Sequence, residues 1–174
     1  MAALFVISGS VFKRYDITEE KRHSLTPSTV ELLEGLDDVV FIKCYLKGDH
    51  PAEFKQLSRS IEEKLDEMAI HAGSNLQFEF VDPSASSDEK TRNEIYQKLT
   101  EDGLKYTSIE IFTNDARIEK IIFPGALVTY KEKTLPLQIL KGGFRTPTEI
   151  MMSNAINNLE YELAHIIRKV QKDA

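Results

Sequence analysis

Cys44 is the only cysteine among 174 residues, and the four histidines, His23, His50, His71 and His165, fall in no HExxH or Cys/His spacing that would give zinc a ligand set. No GxGxxG, GxxxxGK[ST] or GxSxG occurs, so a dinucleotide fingerprint, a nucleotide P-loop and a nucleophile elbow are all unsupported. Gly142-Gly143 lacks the rest of a phosphate cradle and reads as a flexible joint. Asp37 and Asp38 are adjacent carboxylates without a visible third ligand, and read as turn residues. One constellation remains: Asp49 and His50, Asp82 and Ser84, and Asn114 and Asp115 each follow a predicted strand. If those strands are parallel, all six residues reach one edge of the sheet, where open α/β sheets usually bind ligands. Such an edge would suit a small ligand, a sugar or peptide, or hydrolysis using Asp49, His50 and Asp82. The same residue types are what turns and helix starts require, and that capping explanation carries more weight.

The elements that position these residues begin with Val39–Leu46, VVFIKCYL, read as a strand largely covered on both faces, with Cys44 a packed thiol inside it. Gly48 and Pro51 turn the chain into a helix, where Phe54, Leu57, Ile61, Leu65, Met68 and Ala72 recur every three or four residues. Gly73 ends that helix, and Leu76–Val81, LQFEFV, is a second strand. Strand, helix and strand form a βαβ unit. Thr26 and Pro27 start a short earlier helix, with Val30 and Leu33 facing inward. The cluster Asp82–Asp88 leads into a helix running to about Asp102, with a thin stripe of Ile95 and Leu99. Tyr106–Thr113 is a third strand, and Arg117–Phe123 is extended. Pro124-Gly125 marks a bend. Ala126–Tyr130 and Thr134–Leu140 form a hairpin with its tip at Lys131–Lys133, and Thr146-Pro147 caps one last helix carrying Met152, Ile156, Leu159, Leu163, Ile166 and Val170. The expected fold is α/β: a mostly parallel βαβ core with helices on both faces, a C-terminal antiparallel β-hairpin extension, and a long helix packed on the sheet. Residues 14–174 are expected to be a single α/β domain.

A net charge of −6 argues against bulk electrostatic binding to nucleic acid, and the chain has no tryptophan for a stacking platform. Met1–Phe12, MAALFVISGSVF, is apolar and is followed by Lys13 and Arg14. It is shorter than the roughly 20 residues that span a bilayer. Residues 1–13 read as the remnant of a membrane anchor or as a leading segment; a signal peptide is a third reading, which the basic residues oppose by following the apolar run instead of preceding it.

Five stretches taken together, FKRYDITEEKRHSLTPSTVELLEGLDD, VFIKCYLKGDHPAEFKQL, FEFVDPSA, IIFPGALVTYKEKTLPLQIL and NAINNLEYELAHIIRKV, resemble the GldG family of auxiliary, substrate-binding-like subunits of gliding-motility ABC transport systems. The resemblance covers nearly the whole chain from Phe12. It implies a non-enzymatic protein anchored in the inner membrane by an N-terminal helix, with a periplasmic α/β region working beside separate permease and ATPase subunits. It favours the anchor reading of residues 1–13. It also implies a large further region after the last helix. The same region is similar to a domain of intraflagellar transport proteins, which implies an interaction or ligand-binding module. No catalytic residue, metal or cofactor transfers with the resemblance. Arg14, Asp16, Thr18, Lys21 and Arg22, just beyond the anchor, read equally as permease contacts or as a solvated membrane-proximal linker, and self-association stays open.

Overall fold

The structure, a computed structural model, describes residues 24–142 and 145–174. The chain starts with α1 (Pro27–Glu34), β1 (Val40–Cys44), α2 (Ala52–Ala72), a 3-10 turn at Gly73–Asn75 and β2 (Leu76–Phe80). It continues through α3 (Glu89–Glu101), the strands β3 (Thr107–Phe112), β4 (Arg117–Ile122), β5 (Gly125–Tyr130) and β6 (Lys133–Gln138), and the helices α4 (Thr148–Asn157) and α5 (Leu159–Lys172). The α/β class is as expected. So is the βαβ unit, with β1 and β2 parallel in the register Ile42 to Phe78.

Among the described residues parallel pairing is confined to β1 and β2. The hairpin β5–β6 lies within the same sheet, beside β1 and antiparallel to it, in the strand order β2-β1-β5-β6. The third predicted strand does not join this sheet: β3 pairs with β4 as a separate two-stranded ribbon. Pro124-Gly125 marks the crossing from ribbon to sheet. A Cβ at Gly125 would sit 2.7 Å from the Leu137 carbonyl oxygen, so only glycine fits this close approach.

Along β1 the burial alternates. Val40, Ile42 and Cys44 are fully buried with Ala126, Val128, Tyr130 and Leu137, while Phe41 and Lys43 are half-exposed. The expectation that both faces of this strand are covered therefore holds for one face only. The reason is coverage. On the buried face α2 inserts Phe54, Leu57, Ile61, Leu65 and Met68, and α5 inserts Leu163, Ile166, Ile167 and Val170. Each such side chain removed from water contributes roughly 1.5–3 kcal/mol. On the opposite face α3 reaches only one end, packing Leu99, Ile95 and Tyr96 on Tyr45, Leu104, Phe123 and Leu127.

The last helical stretch packs on the sheet as expected, but it is not one helix. It breaks at Asn158, whose backbone (φ −99°, ψ 4°) leaves the helical range. Its side-chain Nδ2 donates to the Asn154 carbonyl at 2.9 Å, the local bonding by which Asn competes with a helix. Thr26 departs from its predicted role as well. Its side chain makes no cap bond to α1. Instead its N–H and Oγ1 both donate to Glu160 Oε1, at 2.7 and 2.8 Å, tying α1 to α5 across the fold. Asp88 does cap α3, accepting from Thr91 N at 2.9 Å.

Candidate functional site

The strand-end edge comes first, because the sequence directs attention there. The turns after β1 and β2 do meet: Lys47 N donates to Val81 O at 3.3 Å, and Gly48, at φ +132°, leaves so little room that a Cβ would sit 2.8 Å from Asp82 Oδ2. Asp82 and Ser84 thus lie next to Asp49 and His50. Asn114 and Asp115 do not join them. They occupy the exposed tip of the β3–β4 ribbon, because β3 left the sheet and its end points elsewhere.

Each polar group at this edge already has local work. Asp82 Oδ1 accepts from Ser84 N at 2.9 Å and Ser84 Oγ at 2.6 Å, closing an Asx turn. Asp49 is exposed and lies 3.3 Å from Lys55 Nζ. His50 is the exception. It is 6% exposed, its ring centroid is 6.4 Å from that of Phe54, and among the described residues neither ring nitrogen has a partner at full hydrogen-bond geometry, the Lys47 backbone exerting a smaller upward pull on its pKa. Burial, and then the charge of Lys120 on β4, push its pKa below the ordinary 6.5 against the opposing pull of Asp82 and Asp49. The ring is thus held in its neutral form beside Phe54, and no hydroxyl or carboxylate among the described residues is bonded to it.

The other reactive candidates are equally occupied. Burial pushes the Cys44 thiol up to about 12, so at neutral pH it carries no thiolate. Asp37 accepts a hydrogen bond from the Tyr130 hydroxyl, which holds its carboxyl below the usual range, and Asp38 Oδ1 accepts from Val39 N at 2.7 Å. Among the described residues no group of three His, Cys, Asp or Glu is placed to hold a metal ion. Arg14, Asp16, Thr18, Lys21 and Arg22, and the anchor reading of residues 1–13, lie outside the described residues. No helix among the described residues is long and apolar enough to cross a membrane.

The features better suited to a partner lie elsewhere. A cleft of roughly 710 Å³ lies between α2 and the α4–α5 break, lined by Ile156 and Leu159 together with Glu63, Lys64, Glu67 and Glu160. The β3–β4 ribbon is anchored at its base by fully buried Ile122 and Phe123, yet farther out Ile118 is 50% exposed opposite Ile111, and Phe112 is 73% exposed under the Arg117 guanidinium. Sequence reading missed this ribbon. The alternating runs TSIEIF and RIEKII, separated by Asn-Asp, were the available signal for a hairpin.

Together these features define a mixed α/β fold whose strand-end polar groups serve its turns and whose two-stranded ribbon exposes Phe112 and Ile118; Ile70 on α2, Ile150 on α4 and Tyr161 on α5 are exposed as single apolar positions elsewhere. Residues 19–129 match the family described as Domain of unknown function (DUF7088), and the chain belongs to that family. No curated protein and no solved structure matches the chain.

Proposed function

We propose that this chain is a non-enzymatic auxiliary subunit of an ABC-type transport complex associated with gliding motility, acting through contacts with the permease and ATPase subunits. The setting rests on the GldG resemblance, with its inner-membrane anchor and periplasmic domain. The observation that supports a docking role is the ribbon: Phe112 and Ile118 stand in solvent beyond the buried base at Ile122 and Phe123. A two-stranded ribbon is marginal in water by itself, and apolar side chains along it gain most from a partner's cover. In this reading the ribbon meets the permease, and ATP hydrolysis belongs to the separate ATPase.

The test is co-purification of the permease and ATPase with the full-length protein from native membranes. The double variant Phe112→Ser/Ile118→Ser should fold normally and lose at least tenfold of the co-purified permease. Undiminished permease recovery with a folded variant would overturn the docking role.

A further inference from the structure

The four-stranded sheet has two edges, and they are treated differently. At β6 the edge is closed to strand addition: Pro136 brings no N–H, and the Gln138 side chain holds the Lys105 peptide against the strand, donating to its carbonyl at 3.2 Å and accepting from its N–H at 2.9 Å. At β2 the edge LQFEF carries no proline or bulge, and among the described residues it pairs with β1 alone. Val81 N donates to Cys44 O at 2.8 Å, so by alternation Gln77 and Glu79 direct their backbone groups at β1. Phe78 and Phe80 therefore direct theirs outward. So does the Leu76 carbonyl, while the Leu76 N–H is spent on Gly73 O.

Beside this edge a groove of roughly 540 Å³ separates β2 from α2, lined by Lys47, Ser58, Glu62, Phe78, Glu79 and Phe80. The outward peptide groups thus stand next to a space bounded by two half-buried phenylalanines, which is the arrangement that receives an added strand.

We propose that β2 is the seam of a homodimer, pairing antiparallel with β2 of a second copy about a two-fold axis at Phe78 and joining two four-stranded sheets into one. The strand is self-complementary in this register. Phe78 faces Phe78, Leu76 faces Phe80, and Gln77 faces Glu79. A chain of net charge −6 repels most contacts with itself, but within the paired strands the Glu79 carboxylate meets the Gln77 amide rather than another carboxylate, Lys43 already stands 3.5 Å from Glu79, and Lys47 lines the groove along with Glu62. Phe78 N–H donates to the Phe78 carbonyl of the second copy and Phe80 N–H to its Leu76 carbonyl, each reciprocated by symmetry. The facing Phe78 rings fill the groove beneath α2.

Register-specific cross-linking of the full chain tests this. Gln77 and Glu79 would form non-hydrogen-bonded cross-strand pairs, with Cα atoms about 4.5 Å apart, inside the range of about 4.4–6.8 Å that a disulfide spans. The buried Cys44 stays silent. Gln77→Cys and Glu79→Cys proteins, mixed under mild oxidant, should give the mixed disulfide at least tenfold above either like-with-like disulfide. It should also exceed by tenfold the control mixture of Gln77→Cys with Gln97→Cys, a variant on the exposed side of α3. The unmodified protein should rise in sedimentation mass with concentration from 19.8 kDa toward twice that value. Cross-linking at the control level overturns the seam, whether the edge is free, filled by residues 1–23 of the same chain or filled by another protein. A dominant like-with-like disulfide overturns the register.

Discussion

His50 shows what a side chain costs when its chemistry is unused. A buried imidazole without a hydrogen bond forfeits the solvation of both nitrogens, and an apolar replacement of similar shape relieves that loss. His50→Phe should therefore unfold at equal or higher denaturant concentration than the parent. The pH dependence follows from linkage. The folded pKa lies below the ordinary 6.5, so below that pH the unfolded chain binds the proton more readily than the folded one, and stability falls as pH is lowered from about 6.5 toward the folded value. Denaturation at a series of pH values should show this slope in the parent and its reduction in His50→Phe. At the neighbouring turn, Asp82→Ala removes the two bonds from Ser84 and should cost about 1 kcal/mol, whereas exposed Asp49→Ala should leave the denaturation midpoint unchanged. An Asp49→Ala variant that folds normally but loses binding of a sugar or peptide would restore the ligand reading of this edge.

Among the elements, α5 carries the strongest demand on the core. Leu163 is fully buried against the sheet, and Leu163→Ala should cost about 2–5 kcal/mol, while Tyr161→Ala, at a 66% exposed position on the same helix, should stay within about 0.5 kcal/mol. Paired urea curves decide this, and equal effects would remove α5 from the core. The clip from Glu160 to Thr26 ties α5 to α1. Burial raises the Glu160 pKa, but the hydrogen bonds from Thr26 and Thr29, with the charge of Lys64, together outweigh it and hold the carboxyl below the ordinary 4.5. Its contribution is thus complete above about pH 4.5 and is lost as pH falls through the folded value. Glu160→Ala should cost about 1 kcal/mol at pH 7, the low end for a charged hydrogen bond because the pair is open to solvent, and little at pH 3.

At the scale of the whole molecule, one sheet face is covered by helices, and among the described residues the other is closed at one end, by α3. The surface carries two features that call for partners, the Phe112/Ile118 ribbon and the β2 edge. They lie on separate sheets, so their tests are independent: loss of the permease on altering the ribbon should leave the Gln77–Glu79 cross-link intact. The acidic charge argues against bulk nucleic-acid binding at either feature.

The local pattern of the chain was enough to establish α2, with Phe54, Leu57, Ile61, Leu65 and Met68 on one stripe, the Asp88 cap, the hairpin turning at Lys131–Lys133, and the α/β class, because periodicity, capping and turn chemistry act over a few residues. The sequence also placed Asp49 and Asp82 in neighbouring turns. Only the tertiary structure decided that β5 pairs with β1, that β3 leaves the sheet and takes Asn114 and Asp115 with it, and that the Thr26 side chain serves Glu160 rather than the first turn of its own helix. Those outcomes depend on which strands find each other across tens of residues. Alternating Ile and Val report only that a strand will pair, because backbone hydrogen bonds are the same for every partner, and the choice falls to the packing of the whole core.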